Sequence, residues 1–262
     1  MALQVELRGS GPPLALLHGF TQTGRLWGRF GEALAASYTL VAVDLPGHAG
    51  SDAVRADLPT CGRLVADAIT DAIGDAPCGL VGYSLGARVA LHVLTQSDLP
   101  VSRAVLISAT GGIEDPEARA TRRRSDEARA DDLEASGDVE GFLESWLRGP
   151  LFERLGDGAD RAERLRNSAA GLASSLRLCG TGTQEPLWDA IPSIRCPILA
   201  LAGTDDIRFA SHALRLARLA ASGLASLVPG GGHAVHLAQP DHTKRVVGHW
   251  LQAVDPDPSS ST

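Results

Sequence analysis

Apolar positions fall in short blocks of four to seven residues, separated by polar or glycine-rich turns. Leu3-Gln4-Val5-Glu6-Leu7 alternates apolar with polar, which predicts a half-exposed strand. Residues 14–17, 39–44, 78–82, 103–108, 197–203 and 225–228 are near-continuous apolar runs, as expected of strands covered on both faces. Between them, 25–36, 61–73, 210–221 and 243–254 repeat apolar residues at helical spacing, with Leu64, Val65, Ala68 and Ile69 forming one stripe. A further helix starts after residue 84, carrying Val89, Ala90, Val93 and Leu94. Strands alternating with helices predict a doubly wound, mostly parallel central sheet, an α/β fold. Such sheets take ligands beyond the carboxyl ends of their strands, where His18, Asp44, Ser84 and Ser108 fall.

The rhythm breaks at Gly111. Residues 111–187 read as helical and charged with no strand, an inserted helical cap over a core made of 1–110 and 188–254. Arginines at 119, 122, 123, 124 and 129 interleave with acids, the pattern of a solvated helix face with pairs four residues apart. The tail, 255–262, is rich in Pro, Ser and Asp and reads as disordered.

A formal charge of −7 argues against nucleic acid as a partner, because that surface is normally basic. No apolar run is long enough to span a membrane, and no basic stretch leads into an apolar one at the start, so a cytoplasmic protein is expected. The four cysteines are widely spaced without a Cys-x-x-Cys pair and read as reduced, buried thiols.

The chemistry centres on Gly82-Tyr83-Ser84-Leu85-Gly86, placed where a buried strand runs into a helix. A serine at such a turn is projected over the sheet, and side chains at the flanking glycines would clash where strand and helix cross. An activated serine needs a base and an orienting acid, in the chain order serine, acid, histidine. Asp206 and His233 occupy the loops after the last two strands, with Asp205 and His236 as rivals and three glycines ahead of His233. The expected oxyanion hole joins the amide of Leu85 to that of Phe20, after His18-Gly19. The turn Asp44-Leu45-Pro46-Gly47-His48 reads as structural.

These core motifs resemble the α/β-hydrolase superfamily. The cap narrows the likeness. Trp146-Leu147-Arg148-Gly149-Pro150-Leu151-Phe152, Arg166-Asn167, Gly171 to Arg177 and Gly180-Thr181-Gly182-Thr183-Gln184 are similar to the 2-succinyl-6-hydroxy-2,4-cyclohexadiene-1-carboxylate (SHCHC) synthases of menaquinone biosynthesis. Asp126 after Arg122-Arg123-Arg124-Ser125 fits as well, whereas Ala49, Ala87, Leu147 and Gly149 depart from that family's pattern. The resemblance implies a lyase that expels pyruvate without a cofactor or metal, with Ser84 as the base. It also implies a small, multiply carboxylated substrate, held by Arg88, Arg122 and Arg166 with Tyr83 and Trp146 lining the pocket and Arg124 in reserve for Arg122. The protein would act as a monomer or a homo-oligomer. The triad alone equally suits a carboxylic ester or carbon–carbon bond hydrolase, and a non-enzymatic binder on the same fold is the third alternative.

Overall fold

The computed structural model describes residues 2–153, 155 and 160–252. Seven strands form one sheet in the order β1-β3-β2-β4-β5-β6-β7. They are β1 (Val5–Arg8), β2 (Pro13–Leu17), β3 (Thr39–Val43), β4 (Cys78–Tyr83), β5 (Val101–Ile107), β6 (Ile198–Gly203) and β7 (Gly223–Val228). Only β1 runs antiparallel, along β3, and every other pairing is parallel. All seven expected strands are present, with ends shifted by up to two residues.

The two-residue period of each strand divides the core. Ala15, Leu17, Leu80 and Leu106 face helices α2 (Leu58–Ile73), α3 (Leu85–Gln96) and α8 (Ile207–Leu219). Leu14, Leu16, Val81 and Val105 face α1 (Gly28–Ala35) and α10 (Pro240–Gln252) instead, with the single turn α9 (Val235–Ala238) on the same side. The expected last helix ran two residues past Gln252, and those residues lie outside the described ones, as does the 255–262 tail.

Between β5 and β6 the described residues form helices and turns only: α4 (Pro116–Ser136), α5 (Val139–Leu147), the single turn α6 (Arg161–Arg164) and α7 (Ala169–Cys179). Their starts are written locally. Asp115, Asp138, Asp160 and Ser168 each accept a hydrogen bond from the amide three residues on, satisfying a donor that the helix itself leaves unpaired. α4 is polar on most of its circumference and is laced by Arg122–Asp126 and Arg123–Glu127 pairs four residues apart. Side chains fasten these helices to the loops after β2 and β3: Thr23 donates to Glu163 at 2.6 Å, and Ser168 to Asp52 at 2.6 Å. Asn167 donates to the Thr21 carbonyl and accepts from the Ala49 amide. Among the described residues no helix is long and apolar enough to cross a membrane.

Candidate active site

Ser84 ends β4 and precedes α3 with φ 50° and ψ −105°, a left-handed conformation that an L residue holds only under constraint. The constraint is the close crossing behind it. A Cβ built on Gly86 would stand 1.9 Å from the Leu17 carbonyl oxygen, and one on Gly82 would stand 2.6 Å from the Gly86 oxygen.

His233 Nε2 lies 2.9 Å from Ser84 Oγ, and His233 Nδ1 lies 2.8 Å from Asp206 Oδ2. Asp206 is also the N-cap of α8, its Oδ1 accepting from the Phe209 amide at 3.3 Å. Capping and imidazole orientation thus fall to one carboxylate, and Asp205 is the exposed neighbour. His236 is sealed between Tyr83, Trp27 and Phe30 and does not line the cavity over Ser84, and burial lowers its pKa to about 3. Of the three glycines before His233, only Gly230 takes a positive φ, at 65°.

A cavity of about 240 Å³ opens over Ser84. Phe20, Tyr83, Leu85, Arg88, Arg122 and Trp146 all line it, together with His233 and Asp206. Leu85 is the first residue of α3, where amides have no partner inside the helix and the helix end is electropositive. The Phe20 amide is held from behind. Leu45 N–H donates to His18 Nε2 at 3.0 Å, so Nδ1 carries the proton and donates to the Gly19 carbonyl at 2.8 Å. That carbonyl and the Phe20 N–H belong to one trans peptide unit, so fixing the first aims the second. Burial keeps His18 neutral, its pKa lowered to about 4. The 44–48 turn is structural, as its composition suggested: Asp44 accepts from the Gly24 and Gly50 amides.

The cationic groups divide unevenly. Arg88 is buried, donates to the Cys179 carbonyl at 2.7 Å and to Gln184 Oε1 at 3.4 Å, and burial lowers its pKa to about 10. It remains charged at neutral pH beside neutral acceptors. Arg122 reaches the cavity while its Nε holds both oxygens of Asp126 at 2.9 Å. Arg124 is exposed, bonded to Thr121, and does not line the cavity. Arg166 departs from its expected place. It pairs with Glu163 at 2.5 Å on the exterior and borders a separate crevice beside Arg25 and Asp44. The buried position is taken by Arg164, which donates to Thr21 Oγ1 at 2.5 Å. α6 ends at Arg164, and Arg166 lies beyond its C-cap Leu165, on the surface.

Phe152, the end of the tryptophan segment, lines the cavity too, and sequence patterns did not single out Arg208 and Phe209, which also line it, or the part played by Ser108. Ser108 follows β5 with φ 49° and donates to the His233 carbonyl at 2.7 Å. Its place at a strand end was the available signal.

The profile of the alpha/beta hydrolase family matches residues 14–246. A Bacillus subtilis (strain 168) protein provisionally named 2-succinyl-6-hydroxy-2,4-cyclohexadiene-1-carboxylate synthase is 33% identical over 247 residues, covering 91% of this chain and 89% of that one. An Escherichia coli O1:K1 / APEC protein bearing the same name without qualification is 32% identical over 238 residues, 87% of this chain and 89% of its own. The solved structure of MenH from S. aureus superposes with a TM-score of 0.87 at 29% identity, covering 96% of this chain and 98% of that one.

Proposed function

The chain belongs to the alpha/beta hydrolase family and, within it, to the family of the SHCHC synthases, and we therefore propose that it eliminates pyruvate from 2-succinyl-5-enolpyruvyl-6-hydroxy-3-cyclohexene-1-carboxylate in menaquinone biosynthesis. The observation that carries this reading is the pairing of a serine–histidine–aspartate relay with a buried arginine in one small cavity.

The substrate asks for a base, an anion hole and cations. The hydrogen on the ring carbon beside the succinyl ketone is acidic because its removal yields an enolate. His233, oriented by Asp206, takes the Ser84 proton as the serine oxygen takes the substrate's. Negative charge then gathers on the ketone oxygen, where the amides of Phe20 and Leu85 would hold it; one such donor is worth about 3 kcal/mol. Collapse of the enolate through the ring double bond breaks the carbon–oxygen bond to the enolpyruvyl group. The departing enolate gains a proton and becomes pyruvate, and the ring is left as the 2,4-diene. The carboxylates would meet Arg88 and Arg122, whose planar forks suit two-point binding.

Pyruvate release from this substrate, read by coupling to lactate dehydrogenase, tests the assignment. Stoichiometric pyruvate is expected; none above the enzyme-free background overturns it. The strained conformation of Ser84 also suits acyl transfer. A burst of acyl-ester turnover abolished by Ser84→Ala would favour a hydrolase.

A further inference from the structure

Cys61 and Cys179 stand 118 positions apart in the chain, yet their sulfurs lie 3.5 Å apart. Cys61 is in the first turn of α2, on the core, and Cys179 is the last residue of α7, in the insertion. Both are buried free thiols, and both point at one acceptor, the Ala56 carbonyl, at 3.7 and 3.2 Å. The other two cysteines lie at the amino-terminal ends of parallel strands, Cys78 opening β4 and Cys196 just ahead of β6.

Cys179 is also part of the cavity wall, and its carbonyl anchors Arg88. Cys179 therefore borders the space a small molecule would occupy, and Cys61, which does not line the cavity, lies against its sulfur. A disulfide needs the sulfurs at about 2.05 Å, a closure of about 1.5 Å from where they stand.

We propose that Cys61 and Cys179 are a redox modification site, a reversible disulfide that pins the helical insertion to the core at the rim of the cavity. The reaction balances with a peroxide as the oxidant. The Cys179 sulfur attacks one peroxide oxygen, the O–O bond breaks, and a sulfenic acid and one water result. The Cys61 sulfur then attacks the sulfenic sulfur; the S–S bond forms, the S–O bond breaks, and hydroxide leaves with the Cys61 proton as a second water. Two thiols lose two electrons and two protons, and the peroxide becomes two waters. The hydrogen bond to Cys179 and burial both push the Cys61 thiol up, so its thiolate is scarce and the second step is the slow one. A dithiol reductant reverses the change by exchange. This site does not depend on which substrate the cavity takes.

The test uses the whole protein with hydrogen peroxide, followed by peptide mapping, thiol titration and thermal unfolding. The expected result is a Cys61–Cys179 linked peptide and titratable thiols falling from four to two. Because the bond closes a loop of over a hundred residues, the unfolding midpoint should rise by roughly 5–10 °C and return with dithiothreitol. Cys61→Ala should lose the shift, whereas Cys78→Ala should keep it. Retention of all four thiols, linkage through another cysteine, or a shift that survives in Cys61→Ala overturns the proposal. Should Cys61→Ala fail to fold, the peptide map of the wild-type protein decides it alone.

Discussion

The hydroxyl of Ser108 donates a 2.7 Å hydrogen bond to the backbone carbonyl of His233. β5 thereby reaches across the sheet to hold the loop that carries the imidazole. The side chain of His233 is fixed at its far ring nitrogen by Asp206, and its main chain is fixed by Ser108.

Ser108→Ala leaves that buried carbonyl without its donor. Stability should fall by about 1–3 kcal/mol. Pyruvate release should slow roughly tenfold in kcat, with KM little changed, because a small displacement of the imidazole spoils proton transfer more than binding. Chemical denaturation and steady-state kinetics check the two halves separately.

Arg88 and Arg166 make a matched contrast. Arg88→Ala removes a buried charge from the cavity and should lower kcat/KM for the carboxylated substrate by roughly 30–100-fold, about 2–3 kcal/mol. Arg166→Ala removes one partner of an exterior ion pair, worth up to about 1 kcal/mol, and should leave kcat/KM within about twofold. Equal losses in both would return Arg166 to the site.

His18 tests the support of the anion hole. His18→Leu removes the donor to the Gly19 carbonyl and should reduce kcat by roughly tenfold or more while KM holds. His18→Asn can place an amide N–H near the position of Nδ1 and should recover part of that loss. A purely structural role would lower stability in both variants without the recovery in kcat.

Acid sensitivity follows from three sealed imidazoles. Burial lowers the pKa of His18 to about 4, of His48 to about 3 and of His236 to about 3. The unfolded chain binds these protons near pH 6.5 and the native one does not, so stability falls as pH drops below about 6.5 and levels only near 3–4. All three histidines act in the same direction, so unfolding should set in between those limits. His236, whose ring nitrogens have no hydrogen-bond partner among the described residues, isolates one contribution. In His236→Phe the loss of stability between pH 7.5 and 5, measured by urea unfolding, should be smaller by the slope of one proton.

The parts legible in the sequence are those that local physics dictates. The elbow was readable because Gly82 and Gly86 answer a steric demand that a short motif records, and six of the seven strands because burial on both faces writes short, near-continuous apolar runs between turns. Asp206 could be placed but not separated from Asp205 in its duties, since one carboxylate both caps α8 and meets His233. The exterior place of Arg166 was not readable: the family resemblance put it in the pocket, whereas it follows a single helical turn and pairs with Glu163 on the surface. The bond from Ser108 to the His233 carbonyl and the cavity wall built by Arg208 and Phe209 depend on tertiary approach between distant segments, which no local pattern encodes.

At the centre of the proposed mechanism is a serine oxygen that removes a proton and is not acylated. Single-turnover pyruvate release from substrate carrying deuterium on the ring carbon beside the succinyl ketone, set against the unlabelled compound, probes this step itself. Slower release from the deuterated substrate is the predicted result, because breaking that bond is the chemical step. Equal rates, with the intact protein gaining an acyl mass at Ser84, would contradict it.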